Sequence, residues 1–343
     1  MRELVIILAD FFLREAEADS PAPRTSLSRA RFGTARSLRG GWRDWLARRE
    51  GRNDLALADP AAVIAAAVCR PPLESVAERS SWLVTPLHLQ AGMKTVHVPM
   101  NAVMTLTPAE SHQLASEFAA IFGADGLVLQ PIEPGGFLLH GLEAEGALTV
   151  EPARLLGGTL DEGLPSGPGS RRLRQLMTEI DLWLHALPLN RTRESRHEPR
   201  VSTLWLWGGG QGFREGLLQS PAREGWAALY ADDAWVAAFA QLTGIDLRAL
   251  PRDAASLLAE QASSGAGDSP EESVCVVLSS ADIGLAALDA AWVGPALEAV
   301  HAGVLGGVSS VGHDRCVRFV RGDTWRFWRP TRDVLAALAE GTA

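Results

Sequence analysis

The sequence predicts an α/β protein, a core sheet with helices on both faces, interrupted by an inserted α+β subdomain. Three observations predict it. The apolar runs Leu4–Leu8 (LVIIL), Val201–Trp207 (VSTLWLW) and Ser273–Leu278 (SVCVVL) are β-branched, aromatic or aliphatic and too short for free-standing helices, so each reads as a buried strand. Helical patterns separate them: Arg171–Leu187 places Leu173, Leu176, Met177, Ile180, Leu184 and Leu187 at three- and four-residue spacing, and Leu285–His301 is an apolar helix. Between Trp82 and Met104 the texture changes to short runs broken by Pro86 and Pro99, as in edge or antiparallel strands. The core is therefore assigned to 1–80 and 166–343, and the insertion to 81–165.

In chain order, Leu4–Leu8 comes first, with Asp10 where that strand runs out; carboxyl ends of parallel strands are where ligands gather. Residues 14–40 form a loop-rich connection holding Pro21, Pro23, Gly33 and Gly40. Its basic residues Arg29, Arg31, Arg36 and Arg39 read as a solvated charged face, with phosphate contact as the sharper alternative. Trp42–Arg49 is a short amphipathic helix, and Asp59-Pro60 opens an alanine-rich one through Val68. Thr107-Pro108-Ala109-Glu110 is a capping-box helix start, the helix running to Phe122 and ending at Gly123. Leu127–Gln130 and Gly136–His140 are strands, and Gly157–Ser170 is a Pro/Gly-rich crossing.

After the Arg171–Leu187 helix, the polar segment Leu189–Arg200 (LNRTRESRHEPR) is expected to feed, as extended chain, a strand of the α/β sheet that opens into Gly208, Gly209, Gly210 and Gly212. Beyond it, Trp226–Tyr230 is a strand, Asp232-Asp233 caps a helix over Ala234–Thr243, and Pro251–Gln261 is helical ahead of a loop at Ala262–Ser269. Arg315–Val320 and Thr324–Trp328 are expected to pair as a terminal hairpin.

With 343 residues, 47% hydrophobic and 21% charged, the chain is long enough for two domains with ample core. A net charge of −9 excludes a general nucleic-acid or anionic-membrane surface. Cys69, Cys275 and Cys316 are too few and too scattered for a disulfide framework or a zinc pair, which fits the cytoplasm. The N-terminal MRELVIILADFFLRE has a short apolar run interrupted by Asp10, unlike a signal peptide, and no stretch approaches the ~20 apolar residues that span a bilayer.

The eight histidines form no H-x-H or H-E-x-x-H grouping, and His313-Asp314, the one adjacent histidine and acid, falls in a Gly/Ser-rich turn. There is no G-x-S-x-G elbow, no P-loop, and Gly208-Gly209-Gly210-Gln211-Gly212 is not a dinucleotide fingerprint. The best candidate site is for a phosphorylated or carboxylate small molecule, with Asn190, Arg191 and Arg193 beside Gly208, Gly209 and Gly210. Arginine forks suit such anions bidentately; a salt bridge to Glu194 or Glu198 is the alternative.

From Trp82 to Gly212 the chain resembles the archaeal-type cofactor-independent phosphoglycerate mutases, and more closely the shorter proteobacterial RpfE-type regulatory proteins. The motifs that carry this are LTPAES from Leu106, GLPSGPGSRRLRQLMTEIDLWLHALPLNRTRE from Gly163 and LWLWGGG from Leu204; ALDAAWVGPALEAV from Ala287 is similar to a later mutase helix. The resemblance implies an alkaline-phosphatase-like core, two divalent metals on Asp and His ligands, and a serine nucleophile. Asp10 matches the first metal-binding Asp, but no T-P-N-L-D-like nucleophile segment follows it. The D-E-x-x-H-x-G-D segment reads SSADIGLAALD, retaining Asp282 without the histidine. Asp323 precedes Thr324 where a D-H pair is due, and GFLLHG replaces the Y-R-H element with its arginine. Two metals need about eight to ten converging donors. The expectation is therefore a degenerate, noncatalytic member with no catalytic residue and no cofactor, serving regulation or anionic-ligand binding. The alternative is a metal-dependent mutase or phosphoesterase with a rebuilt manganese or zinc site on Asp10, Asp282, His313 and Asp323. A third reading is a protein-partner module on the insertion or the Trp-rich terminus.

Overall fold

A computed structural model describes residues 3–11, 29–69, 80–210, 226–263, 273–279 and 284–339. Asp282, Gly212, the prolines at 21 and 23 and most of the 262–269 loop lie outside the described residues. The principal strands are β1 (Glu3–Leu8), β2 (Arg36–Ser37), β3 (Ser81–Leu87), β4 (Val128–Pro131), β5 (Phe137–His140), β6 (Thr203–Trp207), β7 (Trp226–Ala231), β8 (Leu247–Arg248), β9 (Ser273–Leu278), β10 (Gly307–Val311) and β11 (Arg315–Val320). The principal helices are α1 (Gly41–Arg49), α2 (Pro60–Val68), α3 (Pro108–Phe122), α4 (Ser170–Ala186), α5 (Pro188–Ser195), α6 (Ala234–Thr243) and α7 (Gly294–His301).

The chain forms two compact units, Met1–Ala56 with Pro221–Ala343, and Leu57–Ser220. The first is α/β. Its seven-stranded sheet runs β8-β7-β9-β1-β10-β11-β2, the first five strands parallel, β11 antiparallel to β10 and β2 antiparallel to β11. Parallel strands are covered on both faces, which is why β1 and β9 are almost wholly apolar. Leu4, Ile6 and Leu8 share one face and one core with Val274, Val276, Leu278, Trp292, Leu297 and Phe319. On the other face lies α1, whose Arg49 Nη2 donates to Glu3 Oε2 at 2.8 Å and to Ser273 Oγ at 3.1 Å.

The second unit is α+β. Its sheet runs β6-β3-β5-β4, antiparallel throughout. Here the structure corrects the sequence reading: the TLWLW strand pairs with Ser81–Leu87, not with the parallel sheet, so this unit extends well beyond the expected 81–165 insertion. The physical reason is that a strand covered on both faces is apolar in either kind of sheet. Residues 81–84 and 203–206 are buried without a break, so the run alone does not identify its partner. Two local expectations also change. The NRTR segment is helical as α5, opened by Pro188 at its first turn. Residues 321–325 form a 3₁₀ turn, and Arg315–Val320 pairs with Gly307–Val311 instead of with the following segment. The Thr107 capping box is as expected: Glu110 N donates to Thr107 Oγ1 at 3.3 Å and Thr107 N to Glu110 Oε2 at 2.9 Å.

His140, at the end of β5, has no solvent exposure. Its Nε2 lies 3.0 Å from Gln130 Oε1 and its Nδ1 3.0 Å from Ser81 Oγ. A carboxamide oxygen only accepts, so Nε2 carries the proton and Nδ1 accepts from the serine hydroxyl. Burial pushes the imidazole pKa down to about 4. The unfolded chain therefore takes a proton near pH 6.5 that the folded chain refuses. The stabilisation is complete above that pH and is lost as pH falls towards 4, to a total of about 3 kcal/mol. Urea unfolding of wild type and His140→Gln across this window checks it: the variant should show the shallower slope, and parallel curves would place the acid sensitivity elsewhere.

Candidate functional site

The parallel strands of the first unit end in phase, since Leu8 pairs with Leu278, Ile7 with Val311 and Ala231 with Val277. Four of the five then deliver a polar residue to the same edge: Asp10 after β1, Ser279 after β9, His313 after β10 and Asp232-Asp233 after β7. This carboxyl edge is where open α/β sheets bind ligands. Ser279 Oγ donates to Asp10 Oδ2 at 2.8 Å, and Ala9 N to Leu278 O at 2.9 Å, which fixes the loop that presents the carboxylate. Asp233 is the N-cap of α6, accepting from Val236 N at 2.9 Å. His313 lies close to α1, where a Cβ on Gly41 would be 3.5 Å from its Nε2. In sequence Asp232 reads only as part of a helix cap, and Ser279 is not named as a site residue; the available signal was the one that identified Asp10, a polar residue directly after a buried apolar run.

Asp323 is at the other edge. Strand β11 runs antiparallel to β10, so Val320 pairs with Gly307 at the start of β10 and Cys316 with Val311 at its end. At about 3.3 Å per residue, the length of β10 separates Asp323 from His313 by more than about 13 Å. Asp323 is 4% exposed and serves its own turn: Oδ2 accepts from Val320 N at 3.2 Å, and Oδ1 pairs with Arg326 at 2.7 Å and Arg329 at 3.2 Å. The four-residue cluster on Asp10, Asp282, His313 and Asp323 is thus not assembled, because the antiparallel return of β11 carries its last member away. Among the described residues no three His, Cys, Asp or Glu side chains are grouped to hold a metal ion. The described donors do not fit the two-metal centre that the resemblance implies.

The second unit positions the other candidates. Asn190 is 2% exposed, its Nδ2 donating to Leu184 O at 2.9 Å and Val201 O at 3.0 Å while Oδ1 accepts from Val201 N at 2.8 Å. The amide therefore ties α4, α5 and the start of β6 together. Arg193 Nη1 donates to Glu110 Oε1 at 2.6 Å and Nε to Pro199 O at 2.7 Å. Burial alone would raise the Glu110 carboxyl, but its bonds from Thr107 N and Arg193 outweigh that and hold it below the usual range. Arg191 is exposed. Gly208 N donates to Thr149 Oγ1 at 3.1 Å and Gly210 N to Ser81 O at 3.2 Å.

Asn190 is bonded to Val201 at the start of β6, whereas the glycines follow its end, a span of roughly 20 Å for an extended strand. The expected site at Asn190, Arg191, Arg193, Gly208, Gly209 and Gly210 therefore does not converge. Asn190 and Arg193 bond to protein partners, and only Arg191 presents its charge to solvent.

No protein-family model matches the chain. Over 110 residues it is 28% identical to a protein of Geobacter sulfurreducens described as a probable 2,3-bisphosphoglycerate-independent phosphoglycerate mutase, which is 32% of this chain and 28% of that one. The chain thus spans little more than a quarter of that relative's length. Among solved structures it is similar to the cofactor-independent phosphoglycerate mutase of Thermoplasma acidophilum, with TM-score 0.41 and 12% identity over 100% of this chain and 96% of that one. It is also similar to the PH0037 protein of Pyrococcus horikoshii, with TM-score 0.43 and 13% identity over 98% and 91%.

Proposed function

We propose that this chain is a phosphoglycerate-mutase-like protein with an alkaline-phosphatase-like core that does not carry out metal-dependent phosphoryl transfer and instead binds an anionic small molecule in a regulatory role, as the RpfE-type resemblance implies. The observation that carries the reading is the placement of Asp323 at the opposite sheet edge from Asp10 and His313, with no three His, Cys, Asp or Glu side chains grouped to hold a metal among the described residues. The missing nucleophile segment and the histidine absent beside Asp282 support it. Cys69, Cys275 and Cys316 as free thiols support a cytoplasmic setting, and among the described residues no helix is long and apolar enough to cross a membrane.

The test is metal analysis of the purified protein together with mutase and phosphatase assays in the presence of manganese or zinc. The expected result is metal well below one per chain and no turnover. Stoichiometric metal with turnover would sink the proposal. It would establish the second reading, a rebuilt enzyme, which rests on Asp10, Ser279 and His313 sharing the carboxyl edge.

A further inference from the structure

One cavity in the α/β unit lies on the sheet face under α1 and is rich in arginine. It occupies about 750 Å³ under the last turn of α1, against the sheet face that bears Glu3, Ser309 and Cys316. Among the described residues four arginines line it, Arg36, Arg48, Arg49 and Arg318, with Glu3 as the one carboxylate, although the chain as a whole carries a net charge of −9.

Sheet register brings these groups together. Arg36 on β2 pairs with Cys316 on β11, and Arg318, two residues further on, pairs with Ser309 on β10. Arg36 and Arg318 are thus diagonal neighbours on one face, roughly 7–8 Å apart, a spacing at which two guanidinium groups can grip one oxyanion.

Glu3 does not neutralise the cavity. Its Oε1 accepts from Ser309 Oγ at 2.7 Å and Arg318 Nε at 3.0 Å, and its Oε2 from Arg49 Nη2 at 2.8 Å. Burial works to raise its pKa, but the serine and the two arginines prevail and hold it below the usual carboxylate range. One carboxylate therefore orients two arginines and leaves a surplus of charge. Arg48 is held by Asp44 on α1. Arg36 has no carboxylate partner among the described residues. The Cys316 thiol is pushed up to about 11 by burial and by Glu3, against the opposing pull of Arg49, Arg36 and Arg318, so it stays protonated at neutral pH and adds no negative charge.

The site is also rigid on one side. The Arg49 guanidinium lies 4.5 Å from the Trp226 ring centre and 5.4 Å from that of Trp45, which itself lines the cavity. A fork held in place loses little freedom on binding, and the indole offers an apolar flank. The volume falls within the range of small-molecule sites.

We infer that this cavity binds a small molecule carrying a multiply charged oxyanion, a phosphate or paired carboxylates, gripped by Arg36, Arg318 and Arg49 with its less polar part against Trp45. The cavity runs along the sheet face under α1, from Glu3 at the start of β1 to Arg36 and Cys316, which lie level with Val311 at the end of β10, whereas Asp10 follows the end of β1.

The experiment is isothermal titration of the full chain at low salt with pyrophosphate and, separately, with citrate, using wild type, Arg36→Ala/Arg318→Ala, Arg36→Gln and Arg191→Ala. Wild type should give saturable binding of at least one anion, and the tighter of the two identifies the oxyanion. Losing a charge-assisted contact costs about tenfold in affinity, so Arg36→Gln should weaken binding by about that factor and the double variant by about a hundredfold. Arg191→Ala, in the other unit, should leave it unchanged. Absence of saturable binding to wild type, undiminished affinity in Arg36→Gln, or loss of binding in Arg191→Ala would overturn the inference. Turnover in the metal assay would sink the noncatalytic reading and leave this site standing, and the reverse holds for an unaffected Arg36→Gln.

Discussion

Replacement of Arg193 by alanine should lower the unfolding free energy by about 3–5 kcal/mol, the cost of stranding a buried charge. The side chains of Arg193 and Glu110 are 8% and 10% exposed, and they meet at 2.6 Å. Glu110 also completes the capping box of α3, so removing the arginine leaves a desolvated carboxylate that has to keep its charge to serve Thr107 N. Pro199 O loses its donor as well. Urea unfolding measures the loss, and Glu110→Gln distinguishes its source. Combined with Arg193→Ala, it removes the stranded charge and should recover part of the stability. If Arg193→Ala costs under about 1 kcal/mol, the residue is available to a ligand after all.

Gly209→Ala should be nearly as damaging, at roughly 3 kcal/mol or more. An added Cβ would collide with Ser81 O and lie 2.7 Å from Trp82 Cα and 2.9 Å from Ser81 C, all backbone atoms of the paired strand. Backbone cannot rotate aside as a side chain can, so β3 and the end of β6 would have to part, weakening the bond from Gly210 N to Ser81 O. Gly208 is the natural comparison. It sits at φ +60°, with the nearest atoms to a Cβ being side-chain carbons at 3.5 and 3.6 Å, so Gly208→Ala meets backbone strain of about 1–2 kcal/mol without a collision. Thermal or urea unfolding of both variants checks the order. A mild Gly209→Ala that abolished anion binding would instead mean the glycine admits a ligand.

Local sequence sufficed for much of the architecture. The capping box at Thr107, the proline opening at Pro60, the amphipathic spacing of α4 and the apolar runs of β1 and β9 were all legible, because each depends on neighbours within a turn or a strand. The placement of Asp10 at a carboxyl edge followed from the end of one such run. Partners were not legible. TLWLW reads the same whether it joins a parallel or an antiparallel sheet, and its pairing with Ser81–Leu87 required a contact between segments far apart in the chain. Arg36 reads as a solvated charge and is exposed in the structure, but its place beside Arg318 required β2 to pair with β11. Asp323 looked like a metal ligand in sequence and became a turn anchor because β11 runs back against β10. In each case the side-chain chemistry was visible in the sequence, while its neighbours depended on strand direction and register, which arise from burial summed over the whole sheet and leave no mark on any short window of residues.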